Sequence, residues 1–113
     1  MKSREMAEKS VEILKDKKAI DIEVLDITGI SSMADYFVIC SGGSVTHIKT
    51  LSDELKEKMT ETGYNSPRIE GYNSARWILQ DYGDIVVHIF HQEDREFYDL
   101  ERLWSDGKLT LEQ

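Results

Sequence analysis

The sequence contains one cysteine, Cys40, among 113 residues, so no disulfide can form within the chain. It has no apolar run approaching the roughly 20 residues a membrane-spanning helix needs, which excludes insertion into a bilayer. The N-terminal stretch Met1-Lys2-Ser3-Arg4-Glu5 leads into an acidic, helical pattern with no hydrophobic signal region, and the expected location is the cytoplasm. No run of Lys or Arg forms a basic stripe. With a net charge of -8 and a pI of about 4.8, the chain repels a phosphate backbone, which disfavours direct binding of RNA or DNA. The same acidity suits a basic protein partner, although it is also the ordinary way for a cytosolic protein to stay soluble. Internal repeats and low-complexity stretches are absent.

What is present reads as one domain over residues 1–113, long enough for a modest core but not for a separate cofactor domain. Met6, Ala7, Ser10, Val11, Ile13 and Leu14 recur at helical spacing, predicting an amphipathic helix over Ser3 to Asp16, and Lys15 to Lys18 sit where its macrodipole favours cations. Ile20, Ile22 and Val24 alternate with acids, as in a strand with one wet face, and Thr28 to Ser32 read as a loop. The apolar run Tyr36 to Cys40 predicts a buried strand that ends in Ser41-Gly42-Gly43-Ser44. A helix follows, with Val45, Ile48, Leu51, Ser52, Leu55 and Met59 inward and Gly63 as a left-handed cap. After Pro67, a short strand from Arg68 to Glu70 is expected to return parallel to the Tyr36 strand. Ala75 to Asp81 and Asp84 to Phe90 form a hairpin about Asp81-Tyr82-Gly83-Asp84, and the nearly continuous apolar run from Ile85 places the second strand near the sheet centre. A third helix is expected from near Asp94, with Phe97, Leu100, Leu103 and Trp104 on one stripe. This order predicts an α/β (α+β) fold, a mixed sheet of about five strands with helices packed against it.

Ser41 to Ser44 open a helix whose backbone amides are placed to hold a phosphate, a junction resembling that of the nucleotidyltransferases. Such enzymes need paired carboxylates to bind metal ions, and only Glu70 stands on a nearby predicted strand, while Asp81 and Asp84 are ordinary turn formers. His88 and His91 alternate to opposite faces, poor geometry for one metal. Cys40 lies in an apolar run as a structural thiol, and His47 reads as a surface residue. No metal, cofactor or catalytic group is expected.

Several blocks in order carry a resemblance. They are Ala34-Asp35-Tyr36-Phe37-Val38-Ile39-Cys40-Ser41-Gly42, Glu70-Gly71, Trp77-Ile78-Leu79 with Asp81, Gly83-Asp84, Val86-Val87-His88, Arg95, Tyr98-Asp99-Leu100-Glu101 and Leu103-Trp104. Together they span nearly the whole chain, which resembles the ribosomal silencing factor family, also called Iojap. The resemblance implies a homodimer with a nucleotidyltransferase-like fold that lacks the catalytic carboxylates. It also implies binding to a large-subunit ribosomal protein of the L-fourteen family, which blocks joining of the small subunit and represses translation when nutrients are scarce.

The segment Ser74 to Leu79 with Asp81 matches the part of the family that meets the ribosomal protein, and Trp77 matches its central aromatic. The candidate contact residues are Glu70, Ser74, Arg76, Trp77, Ile78, Leu79, Asp81, Tyr82 and Asp84. A rigid aromatic buried in a partner pocket is worth roughly 2 to 4 kcal/mol, and acids around it can meet Lys and Arg. Two alternatives stay open at this point. Trp77 packs inside its own subunit under a helix, or the chain is a metal-dependent nucleotidyltransferase-like enzyme using residues 41–44 and Glu70.

Overall fold

The computed structural model describes residues 2–30 and 34–94. The chain runs α1 (Lys2–Asp16), β1 (Ile20–Asp26), β2 (Tyr36–Gly42), α2 (Val45–Thr62), β3 (Arg68–Glu70), β4 (Trp77–Asp81) and β5 (Ile85–His91). The helical stripe of α1 is buried as expected at Met6, Ala7, Ser10, Ile13 and Leu14, and its last turn carries Lys15. At the start of α2 the Ser44 hydroxyl accepts the His47 amide, satisfying one of the orphan donors of the first turn. At the other end Gly63, at φ 115°, closes the helix by donating back to Met59 and Thr60. Val45, expected on the inner face, is 41% exposed, and the buried stripe of α2 begins one turn later at Ile48.

The strands form a single mixed sheet in the order β1-β2-β5-β4-β3. β5 lies at its centre, as its apolar run predicts. It pairs parallel with β2, from Tyr36 opposite Ile85 to Gly42 opposite His91, and antiparallel with β4. β3 runs parallel to β2, as expected of a strand-helix-strand unit, but it is not its neighbour: it is the edge strand, with β5 and β4 lying between, and pairs antiparallel with β4. Only Ile69 of its three residues is partly buried, so β3 lacks the two apolar faces of an interior strand. The alternation expected of β1 is also interrupted. Its register slips between Ile20 and Glu23, with Asp21 at φ 50°, and beyond that bulge Val24 packs on the helix side while Leu25 turns to the other.

Both helices lie on one face. There Met6, Ile13 and Leu14 of α1 and Ile48, Leu51, Leu55 and Met59 of α2 join Val38, Cys40, Ile78, Ile85, Val87 and Ile89 of the sheet in one core. The opposite, outer face carries a second cluster of Leu25, Ile27, Ala34, Ile39 and Phe90, flanked by Phe37, Trp77 and Val86. Residues 92–94 are helical, and the third helix expected from near Asp94, with its stripe of Phe97, Leu100, Leu103 and Trp104, lies beyond them, outside the described residues.

Candidate functional site

Strand alternation and register dictate what the outer face presents. Three cross-strand rows follow from the pairing. Arg68, Asp81, Val86 and Phe37 form one, Glu70, Leu79, His88 and Ile39 the next, and Trp77, Phe90 and Ser41 the third. Trp77 is half-buried rather than sealed under a helix. Its indole stacks on Phe90 with centroids 5.0 Å apart and planes 28° off parallel, and its Nε1–H donates to His88 Nδ1 at 3.0 Å. Phe37 meets the other side of His88 edge-on at 4.6 Å. Cross-strand aromatic pairs of this kind stiffen a sheet surface by roughly 0.5–1.5 kcal/mol each beyond the area they bury.

A turn of unusual tightness delivers Trp77 to this place. Gly71, at φ 80°, accepts the Ala75 amide at 3.1 Å and the Ser74 hydroxyl at 3.4 Å. Ala75 follows at φ 55°, fully buried, in a left-handed conformation that costs an L residue about 1–2 kcal/mol. The chain then enters β4 with its side chains alternating. Ile78 and Gln80 go into the helix-side core, while Trp77, Leu79 and Asp81 face outward.

The structure therefore divides the candidate contact residues. Trp77, Leu79, Asp81 and Glu70 share the outer face. Arg68, missed in the sequence, bridges two of them, reaching Asp81 at 3.5 Å and Glu70 at 3.6 Å. Ile78 does not belong there: it is fully buried against the helices and has no surface to offer. Tyr82 also turns to the helix side, where its hydroxyl donates to Gln80 Oε1 at 2.6 Å and burial raises its pKa well above the usual phenol range. Arg76 is directed at Asp94, 2.6 Å away, and at Glu93, 3.5 Å away. Ser74 and Asp84 are exposed in turns at the two ends of β4. His88, weighed in the sequence only as a metal ligand, is the partner of the indole. Its parity with Val86 and Phe90 was the signal that it shares their face. Burial pushes its pKa down from 6.5 to about 4, so it is neutral at physiological pH.

The nucleotide-site alternative can be measured against the same geometry. The Gly43 amide, which a phosphate would need, donates to His47 Nδ1 at 3.1 Å, and His47 Nε2 in turn meets the Lys17 carbonyl at 3.0 Å. His47 is thus a half-buried clamp rather than a free surface residue. Glu70 stands three strand spacings from β2, about 14 Å away across the sheet. Asp81 and Asp84 lie at the Ile85 end of β5, opposite the end where Gly42 leads into the loop. Among the described residues no three His, Cys, Asp or Glu side chains converge as a metal-ligand set.

Comparison with known proteins agrees with the blocks quoted above. The family profile described as "Ribosomal silencing factor during starvation" matches residues 1–113. A ribosomal silencing factor of Bacillus subtilis is 46% identical over 95 residues, covering 84% of this chain and 80% of that protein. One from Halalkalibacterium halodurans is 43% identical over 107 residues, covering 95% of this chain and 92% of its own. In three dimensions, a crystal structure of a protein from Chromobacterium violaceum superimposes with a TM-score of 0.89 at 33% identity, covering 93% of this chain and 88% of that one. With a profile match from end to end and relatives 46% and 43% identical over most of both chains, the chain belongs to the ribosomal silencing factor family.

Proposed function

We propose that this protein represses translation by binding a large-subunit ribosomal protein of the L-fourteen family through the outer face around Trp77, so that its bulk keeps the small subunit from joining. One observation carries the reading. β4 sends Ile78 and Gln80 inward and Trp77, Leu79 and Asp81 outward, leaving a half-buried indole backed by Phe90 on a face that also carries Glu70, opposite Leu79, and Asp81 further along β4. An aromatic anchor that is already held by its own subunit loses little freedom on docking, which is what makes such residues dominate interfaces. The adjoining carboxylates suit a basic protein surface. No step of this mechanism is catalytic, and with the Gly43 amide engaged and the carboxylates remote, nothing in the geometry of the described residues favours the nucleotidyltransferase alternative.

The test is Trp77→Ala. Its circular dichroism is expected to match wild type, and its affinity for the ribosomal protein to fall ten-fold or more, from a hot-spot contribution of about 2 kcal/mol or above. Wild type is expected to co-sediment with isolated large subunits and not with intact ribosomes, whose intersubunit face is covered. Unchanged binding by the variant, or equal binding to both particles, would sink the proposal. A homodimer belongs to the same reading. Light scattering that returns the 13.1 kDa mass of one chain would remove it.

A further inference from the structure

His88 is 4% exposed on the middle strand of the sheet and has no place among the contacts proposed above. Because the Trp77 N–H donates to its Nδ1, the lone pair is on Nδ1 and the ring proton on Nε2. Nε2 itself makes no hydrogen bond. An orphaned buried N–H is a cost that Phe or Leu at this position would not carry, so what the imidazole offers must lie at its other nitrogen. The stacking of Trp77 on Phe90 fixes the plane of the indole, but a half-turn about the Cβ–Cγ bond would keep a stacked plane while exchanging the two edges of the ring. The bond to Nδ1 is directional and sets which edge faces inward.

We propose that His88 is the positioning residue for Trp77: its Nδ1 pins the pyrrole edge of the indole to the sheet and so presents the opposite, six-membered edge to the partner before docking. Phe37, edge-on against the imidazole at 4.6 Å, holds the acceptor in turn. The inference rests on the reading of Trp77 as the partner contact, and it adds the residue that preorganises that contact.

Three variants separate the acceptor from the ring. In His88→Asn the amide oxygen falls near the place of Nδ1, in His88→Gln it falls near Nε2, and His88→Phe has the ring without an acceptor. The readouts are the indole N–H cross-peak of Trp77, identified by its loss in Trp77→Phe, and affinity for isolated large ribosomal subunits. His88→Gln and His88→Phe are expected to shift the cross-peak to that of an unbonded indole and weaken binding about five-fold, while His88→Asn keeps both near wild type. If His88→Phe folds and binds as wild type while Trp77→Ala does not bind, positioning is overturned and the Trp77 contact stands. If Trp77→Ala binds as wild type, both fall, although the cross-peak still reports the bond. Should His88→Phe fail to fold, equal affinities of His88→Asn and His88→Gln overturn the proposal.

Discussion

Replacing Gly71 by Ala tests how the site is held in place, and a second glycine supplies the control. Gly71 and Gly83 have nearly the same backbone, φ 80° and φ 89°. An L side chain in that left-handed region costs about 1–2 kcal/mol at either position. Their surroundings differ. A Cβ on Gly83 would meet nothing within 4 Å, whereas one on Gly71 would run into the Trp77 carbonyl oxygen and lie 3.3 Å from the carbonyl carbon. The first residue of β4 must then move, at a cost of the order of other overpacked sites, about 1–3 kcal/mol. The expected losses are about 3 kcal/mol for Gly71→Ala and about 1.5 kcal/mol for Gly83→Ala. With an m-value of about 1.5 kcal/mol/M in urea, the midpoints fall by about 2 M and about 1 M respectively. The displaced strand start also carries the indole, so Gly71→Ala should weaken partner binding even at urea-free equilibrium, and Gly83→Ala should not. Equal midpoints for the two variants would refute the steric part of this reasoning, and full partner binding by Gly71→Ala would refute its link to the site.

Acid should destabilise the protein through His88. Burial holds its pKa at about 4 in the fold against 6.5 unfolded, so between those values the unfolded chain binds more protons and stability falls as pH drops through that window, by about 2 kcal/mol at pH 5. Urea melts at pH 7 and pH 5 should show a smaller acid loss in His88→Phe than in wild type, and an identical loss would count against the assignment. Gln80, fully buried, donates to the Ser52 carbonyl and hydroxyl at 2.8 Å each and accepts from Tyr82, so Gln80→Leu strands polar groups in the core and should cost about 2 kcal/mol by denaturation. A neutral substitution would show the network to be dispensable. Arg68 offsets the charge of Glu70 and Asp81, so Arg68→Gln should speed association with a basic partner about two-fold at low salt, the gain vanishing well above about 0.15 M. A slower or salt-independent rate in stopped flow contradicts an electrostatic rim.

Local periodicity made most of the elements legible. The stripe of α1, the cap at Gly63 and the hairpin about Gly83 each depend on residues within a few positions of one another, where spacing is a direct physical constraint. The direction of β3, parallel to β2, followed from the strand-helix-strand order, but its place in the sheet did not, because three residues can pair with any free edge. A clue was nevertheless present: Arg68 and Glu70 flank a lone Ile69, whereas a strand paired in parallel inside a sheet is usually apolar on both faces. The site divided along the same line. Alternation set Trp77 against Ile78, but which of the two faces the helices would cover depended on tertiary packing, and only the burial of Ile78 and Gln80 decided it. Arg68 and His88 escaped notice because each acts across a strand boundary, on Asp81 and on Trp77, through registers that no single segment reveals.

The glycine-serine loop is turned to structural use in this chain. In a fold of this kind, a strand running into the start of a helix places backbone amides where an anion can use them. Here that junction satisfies itself: Ser44 takes the His47 amide, His47 takes the Gly43 amide, and the far nitrogen of the same ring reaches Lys17 at the end of α1. Gly42 is fitted to this arrangement, since a Cβ there would come within 2.8 Å of Ile48 Cγ1. The loop thereby ties α1 to α2 and closes the helix side of the sheet as structure. The proposed contact lies on the other side, where Trp77, Leu79 and the charges of β3 and β4 are available to act by shape, desolvation and charge.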